Sequence, residues 1–480
     1  MVYFPKHKKR HLSCLVSTAV YSGVLRSNRI EFQFAKQIVR NSREVNLLWN
    51  KMASLQKVRC SETFLKGGND TMSLALLGDF LPGQQSTSQT MTTSVFDTDT
   101  GEAIAAPVKF IQENGAQFSV YSFDLDQRVL GLVKVREGVD IRKRPFLYQA
   151  QRENAEELLL LPFDVLPAVA DGLTESVSAV ENIFLHSTGR CGSTLMCKGM
   201  DVMSQVQAVS EPDVFTLIFE HICTRDVPLT SDEKEEIVTL LKHSVTLLNF
   251  WLLQNDPSRT VICYKLRSAA VFVADLMQKA VPQARNVFLY RDLPGFYDSS
   301  INLMFSGSYW RYFLVTALRL DAFFLSVLMK NMPRMFRYIF EHPRMTTCPV
   351  RHGMPFMLVT FWIFQMQKAF DLIRDDPANF FHACLSYEQL LEHKDQIILK
   401  VLEKLDVHVP TDTNASEIRA VFGVDSQEGS AAQSRRRKGD VMSSSWVGTW
   451  ERNFFSTVLA HFDGAVNDPN FVMPNNMVMN

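Results

Sequence analysis

The residues best suited to chemistry in this chain lie in Glu181–Thr194, ENIFLHSTGRCGST. Asn182–His186 is a short apolar run of strand formers, and Ser187–Gly192 is a loop of small residues. Ser193 and Thr194 then open a segment with Leu195, Met196, Gly199, Met200 and Met203 on or near one helical face. The first turn of a helix has N–H groups without an intrahelical acceptor and carries the positive end of the helix dipole. Strand, glycine loop and helix start are therefore the parts of an oxyanion site. Gly189 and Gly192 allow positive φ and leave room for an anion to approach. Arg190 adds a full positive charge inside the loop.

An ATP- or GTP-binding P-loop would need G-x-x-x-x-G-K-[ST], with Lys directly after the last glycine. Here Ser193-Thr194 follow Gly192, and the cation stands two residues before it. A P-loop kinase is further disfavoured by the lack of a clear second acidic strand for magnesium. A second constellation is Asn286–Ser300, NVFLYRDLPGFYDSS, where an apolar strand ends in Arg291 and Ser299 follows eight residues later, after a helix start near Pro294. Arg offers a forked, charge-assisted contact to an anion, and the Ser hydroxyl a further donor. A third lies near the C-terminus: Arg435-Arg436-Arg437-Lys438-Gly439, then Gly448-Thr449-Trp450-Glu451-Arg452-Asn453-Phe454.

Together, in this order, these segments resemble the sulfotransferase family, nearer its carbohydrate type than its cytosolic small-molecule type. The resemblance covers about 175–460 and includes Leu385-Ser386-Tyr387-Glu388, similar to the family's penultimate strand and helix. It implies a cofactor, 3′-phosphoadenosine 5′-phosphosulfate (PAPS), bound without a metal. By that resemblance Gly189, Arg190, Cys191, Gly192, Ser193 and Thr194 form the 5′-phosphosulfate loop, and Arg291 and Ser299 hold the 3′-phosphate. Arg437, Lys438 and Gly439 would close over the nucleotide. That last segment departs from the family pattern: the gap after it is lengthened by Asp440–Val447, and Thr449 stands where an acid is usual.

Sulfuryl transfer needs an aligned acceptor, a base, and positive charge at the leaving phosphate. Arg190 and the loop amides suit the leaving group. Glu211, in Val209-Ser210-Glu211-Pro212-Asp213 directly after the second candidate strand, is the expected base; Asp213 and His186 compete with it. The cytosolic enzymes use a His in a K-T-H segment, and the similar stretch here reads Lys265-Leu266-Arg267. The acceptor implied is a hydroxyl or amine of a small molecule or carbohydrate. The alternative is a non-catalytic nucleotide- or polyanion-binding protein on the same fold.

Positioning these groups requires a parallel sheet. From about 175 strands alternate with helices: Asn182–His186, Val206–Val209, Thr260–Tyr264, Asn286–Tyr290 and Phe381–Leu385, with helices at 231–253 and Ala269–Lys279. The expected fold is α/β, a three-layer parallel sheet with a P-loop-like nucleotide site (175–480). Before it come a small antiparallel β module with a linker (83–174) and an N-terminal helical extension (1–82), the latter drawn from spaced apolar residues in 26–66. Residues 83–103 read as an exposed polar loop. Glu113-Asn114-Gly115 reads as the turn of a hairpin between Val108–Gln112 and Gln117–Phe123, with a third strand at Val129–Val135 and an amphipathic stretch at Ala150–Leu161.

The chain has 480 residues, 46% of them hydrophobic, and a net charge of −1. That balance gives no expectation of nucleic-acid binding, so any anion site is a local concentration of charge. Eight scattered cysteines without a C-x-x-C pair suggest neither zinc nor a disulfide framework and fit a reducing compartment such as the cytoplasm. Leu12–Leu25, after Lys6–Arg10, has the polarity order of a signal segment, which leaves a secretory route open, but is short for a membrane span. The apolar 310–370 region reads as buried helices or a lid, with Met354–Phe364 too short to cross a bilayer. Oligomeric state has no signal in the sequence.

Overall fold

The computed structural model describes residues 52–60, 74–82, 102–305 except 224 and 226, 309–320 except 319, 342–377 except 352, 380–408, 415–424 and 447–479. Leu12–Leu25 and the basic segment Arg435–Gly439 lie outside them.

The larger unit is a five-stranded parallel sheet in the order β11-β10-β7-β9-β8. Its strands are β7 (Glu181–Ser187), β8 (Val206–Ser210), β9 (Val261–Lys265), β10 (Arg285–Tyr290) and β11 (Ala383–Ser386). All five expected strands are present, each within about two residues of its expected bounds. The strands are apolar on both faces because helices cover both. Along β7, Ile183 and Leu185 pack into one core with Met196, Met200, Ile397 and Ile418, while Phe184 joins the opposite core with Phe215, Leu248 and Trp362. Cys263 and Tyr264 divide in the same way, as do Val287 and Phe288. The fold is mixed α/β, compatible with a three-layer arrangement.

The helix Ser193–Met200 lies on the first face and Leu293–Met304 on the second. Met354–Asp375 is a 22-residue helix, so the sequence reading of a run too short to cross a bilayer is corrected: by length and composition it qualifies. Most of its apolar stretch is buried inside the protein.

The smaller unit is an antiparallel sheet ordered β2-β1-β6-β5-β4, with β3 also paired to β1. It contains β1 (Ala53–Cys60), β2 (Phe80–Pro82), β3 (Glu102–Ile104), β4 (Phe118–Asp124), β5 (Val129–Val135) and β6 (Ala155–Pro162). Two expectations fail here. Pro107–Asn114 is a helix rather than the first arm of a hairpin, with proline in its first turn, where no backbone donor is needed. Ala53–Cys60, inside the stretch read as helical, is a strand held between β6 and the pair β2 and β3. The amphipathic stretch at 150–161 divides into the end of the helix Leu147–Asn154 and most of β6. One hydrophobic core runs across both units, joining Phe118, Leu130 and Leu159 to Phe215, Ile218 and Leu240.

After the helix Thr449–Phe462 the chain runs as an irregular strap past β10 and β11. Leu293 N–H donates to the Pro469 carbonyl at 2.8 Å, Met477 N–H to the Cys384 carbonyl at 2.8 Å, and the Gln389 amide to the Met477 carbonyl at 2.6 Å. Asn476 bridges to Cys384 beside the edge strand.

Candidate anion-binding site

After β7 the chain turns to the helix on one face of the sheet, and after the neighbouring β10 it turns to a helix on the other. Two adjacent parallel strands with divergent connections leave a crevice at their carboxyl ends, the topological switch point where α/β folds bind ligands. Both motif loops open there.

The β7 loop is left-handed at three residues: Gly189 (φ 75°), Arg190 (52°) and Gly192 (81°). The first bond of the following helix runs from Met196 N–H to the Gly192 carbonyl, so the amides ahead of it have no acceptor within the helix. A Cβ at Gly192 would stand 2.9 Å from the Tyr387 ring, and one at Gly189 would stand 3.3 Å from Ser268. Both glycines are therefore favoured by backbone angle, and Gly192 also by its close approach to the Tyr387 ring. Burial raises the pKa of the Cys191 thiol, which donates to the Leu289 carbonyl at 3.3 Å; this cysteine is an inert part of the loop. Ser193 and Thr194 are buried in the first turn.

Arg190 Nε donates to Ser299 Oγ at 3.1 Å, and Arg291 Nη1 donates to the Arg190 carbonyl at 3.2 Å. Residues a hundred positions apart are thus brought into one cluster. Arg291 is fixed from several sides. Its backbone N–H donates to Thr188 Oγ1 at 3.3 Å, its carbonyl accepts from Trp362 Nε1 at 2.8 Å, and its guanidinium lies 4.3 Å from the Tyr387 ring centroid. A Cβ at Gly295 would fall on Arg291 Nε, so the glycine in the first turn of the next helix makes room for the guanidinium. Arg291 Nε is buried without a hydrogen-bond partner, and no carboxylate lies within ion-pair distance of this guanidinium among the described residues. Asp292 instead caps its helix, accepting from Gly295 N–H at 3.1 Å; burial raises the pKa of its carboxyl. Thr188, Trp362 and Gly295 were not singled out from the sequence, and Tyr387 was named only within the segment Leu385–Glu388, with no contact to Arg291 expected. Only Gly295, in the first turn after a strand-end Arg, left a readable signal.

Glu211 lies at the carboxyl end of β8, two strands from β7 in the sheet order, with φ 58°. Its Oε1 pairs with Lys265 Nζ, its Oε2 lies 3.4 Å from Arg267 Nε, and its backbone N–H donates to the Lys265 carbonyl at 2.7 Å. Asp213 is buried, 3.2 Å from Arg267 Nη1, and accepts from Ala75 N–H at 2.6 Å. Burial raises its pKa against the lowering effect of Arg267. Burial alone would lower the pKa of Arg267, but Asp213, Tyr148 and Glu211 hold it above its ordinary value. Its guanidinium lies 4.0 Å from the Tyr148 ring centroid, and burial pushes that phenol up to about 12. The stretch compared with K-T-H thus supplies the cations that hold both acids.

His186 lies within the core. Its Nε2 is 3.3 Å from Asn286 Oδ1, its ring packs edge-on against Phe184 and Phe381, and burial lowers its pKa to about 4. It is closed to substrate.

No protein-family model matches the chain, and no curated protein matches it at a significant level.

Proposed function

We propose that the protein is a sulfotransferase that moves a sulfuryl group from PAPS to a hydroxyl or amine acceptor. The observation that carries this reading is the meeting of Arg190, Ser299 and Arg291 at the switch point, with Arg291 lacking an acidic partner among the described residues. A guanidinium held this firmly, stacked on an aromatic ring and free of carboxylate, is suited to a fixed phosphate. In this reading the β7 loop receives the phosphosulfate, and Arg190 meets the charge that grows on the leaving phosphate. Arg291 and Ser299 receive the 3′-phosphate. The absence of Lys after Gly192 sets the loop apart from metal-dependent nucleotide sites. No metal is needed for these contacts.

Glu211 would take the acceptor proton. Lys265 and Arg267 hold its carboxylate in place, and an acceptor oxygen that displaces one of them would come within hydrogen-bond reach of it. The geometry also bears on the second reading. Both carboxylate oxygens of Glu211 already face cations, which suits a fixed structural acid in a protein that binds the nucleotide without transfer.

Calorimetry with 3′-phosphoadenosine 5′-phosphate (PAP), beside ATP with magnesium, tests the nucleotide site. Metal-independent binding of PAP alone is expected, and preference for ATP with magnesium would sink the reading. Transfer of labelled sulfate from PAPS across a panel of small-molecule and carbohydrate acceptors then separates enzyme from binder.

A further inference from the structure

The strap after the helix Thr449–Phe462 meets each of the elements that clamp Arg291. The hydroxyl of Tyr290, the residue before Arg291, accepts from the Met473 N–H at 3.3 Å and donates to Asn476 Oδ1 at 3.1 Å. Leu293, two residues after Arg291, donates its N–H to the Pro469 carbonyl. Tyr387, whose ring stacks on the guanidinium, opens the helix Tyr387–His393. Gln389 in the first turn of that helix donates to the Met477 carbonyl, and the Met477 N–H donates to Cys384 in the strand ahead of it. Trp362, which donates to the Arg291 carbonyl, shares its helix with Gln367, whose Oε1 accepts from the Val466 N–H at 3.2 Å. Strap positions from Val466 to Met477 thus reach the backbone, the ring and the indole that support one guanidinium.

These contacts also decide what an anion can use there. The first-turn amides of the helix Leu293–Met304 are engaged: Leu293 N–H by Pro469, Gly295 N–H by Asp292, while Pro294 has none. An anion at this helix start therefore depends on side chains rather than on helix amides. A long guanidinium loses rotamer freedom when it is fixed, and a frame that fixes it in advance removes that cost from binding. The Tyr290 phenol suits such a frame, because burial pushes its pKa up to about 12 and keeps it both donor and acceptor at neutral pH.

We propose that the strap is a positioning element for Arg291, so that anion binding at this guanidinium and seating of the strap strengthen each other. The inference rests on the reading of Arg291 as an anion ligand. A mutant cycle in the full chain tests it. Tyr290→Phe removes the phenol oxygen and keeps the ring; Asn476→Ala removes its acceptor from the strap side. Each should weaken PAP binding about fivefold or more, the scale of one neutral hydrogen bond, and leave adenosine 5′-phosphate within about twofold. In an Arg291→Ala background neither should weaken PAP further, because the residue they act through is gone. Lys400→Ala removes a strap bond at Val478, beyond these contacts, and should bind PAP as the unsubstituted protein does. Hydrogen exchange at the Leu293 and Met473 amides should slow when PAP binds and quicken in Asn476→Ala. Circular dichroism and thermal midpoint establish that each variant is folded. Unchanged PAP affinity in both variants, or the same loss with and without Arg291, overturns the proposal and leaves the nucleotide reading standing. Binding of inorganic sulfate but not PAP, with the same cycle, would remove the nucleotide reading and keep the strap's role. Binding of neither overturns both.

Discussion

Among the residues of the candidate site, Arg291 is the one whose side chain has the clearest unfilled role. Lysine in its place would keep the charge but lose the fork and the packing on Tyr387, so the two are not equivalent there. Arg291→Ala and Arg291→Lys should each weaken PAP binding about 10- to 100-fold, the scale of one charge-assisted contact, with far less effect on adenosine 5′-phosphate. Equal weakening of both ligands in calorimetry would reduce Arg291 to a structural role. Glu211→Gln should slow single-turnover transfer by roughly 10²-fold or more with little change in PAP affinity. It should also cost on the order of 3 kcal/mol in denaturant unfolding, because Lys265 is left buried without its carboxylate. Loss of stability with unaltered turnover would mark Glu211 as structural. His186 gives a pH signature. Its folded pKa of about 4 lies below the ordinary 6.5, so between those values the unfolded chain binds the proton and the folded chain does not. Stability from this residue is complete above about pH 6.5 and falls with acidification towards pH 4, by about 3 kcal/mol in full. His186→Gln keeps a donor for Asn286 and lacks this titration, so the stability difference between the two proteins should move by that amount from pH 7 to pH 4. A pH-independent difference would disprove it.

At the scale of elements, the loop after β7 works because its two glycines answer different demands at once. Gly192 has φ 81° and packs on Tyr387; Gly138 has the same φ with open space around its Cβ position. Gly138→Ala should therefore cost only the left-handed backbone penalty, roughly 1–2 kcal/mol, and leave PAP binding unchanged. Gly192→Ala should cost more and also reduce PAP binding, since the ring it displaces carries Arg291. Equal cost at the two positions would show that the ring contact is slack. The same comparison shows what the sequence could and could not reveal. Parallel strands buried on both faces are continuous apolar runs, so β7 to β11 were legible, and so were the loop and the Arg291–Ser299 spacing. The smaller unit was not. Val108, Phe110 and Ile111 fit both alternation and a helical face over so short a span. Tertiary contact decides between them: Ile111 is buried, and the turn residue Gly115 closes on Phe250 of the long helix Ser231–Asn255. Ala53–Cys60 was hidden for a similar reason, because its partner β6 lies about a hundred residues away and leaves no local signal. The ring that stacks on Arg291 comes from yet another segment, and no spacing rule connects the two.

For the molecule as a whole, the ionic cluster beyond β8 ties the two units together. Ala75 and Tyr148 come from the smaller unit, Asp213 and Arg267 from the larger, and they meet with almost no water. Asp213→Ala removes a buried carboxylate from Arg267 and an acceptor from the Ala75 amide, a change worth about 3–5 kcal/mol. Because a single core also crosses the boundary, calorimetry should show one unfolding transition, displaced to lower temperature in this variant. Two separable transitions would mean that the units fold independently. Faster hydrogen exchange at Ala75 in the variant would report loss of the anchoring bond itself.

The strap along β10 and β11 bears on how the protein is made. It is synthesised after every other described element, yet it supplies hydrogen bonds beside the edge strand. A growing chain adds residues at about 5–20 per second and folds from its N-terminal side. For a short interval on the ribosome the parallel sheet can be complete while this border is still open. An exposed strand border is a template for pairing with another chain. Messages truncated just before codon 464 would then yield polypeptides with the β7 loop and both units intact, but prone to self-association and dependent on chaperones.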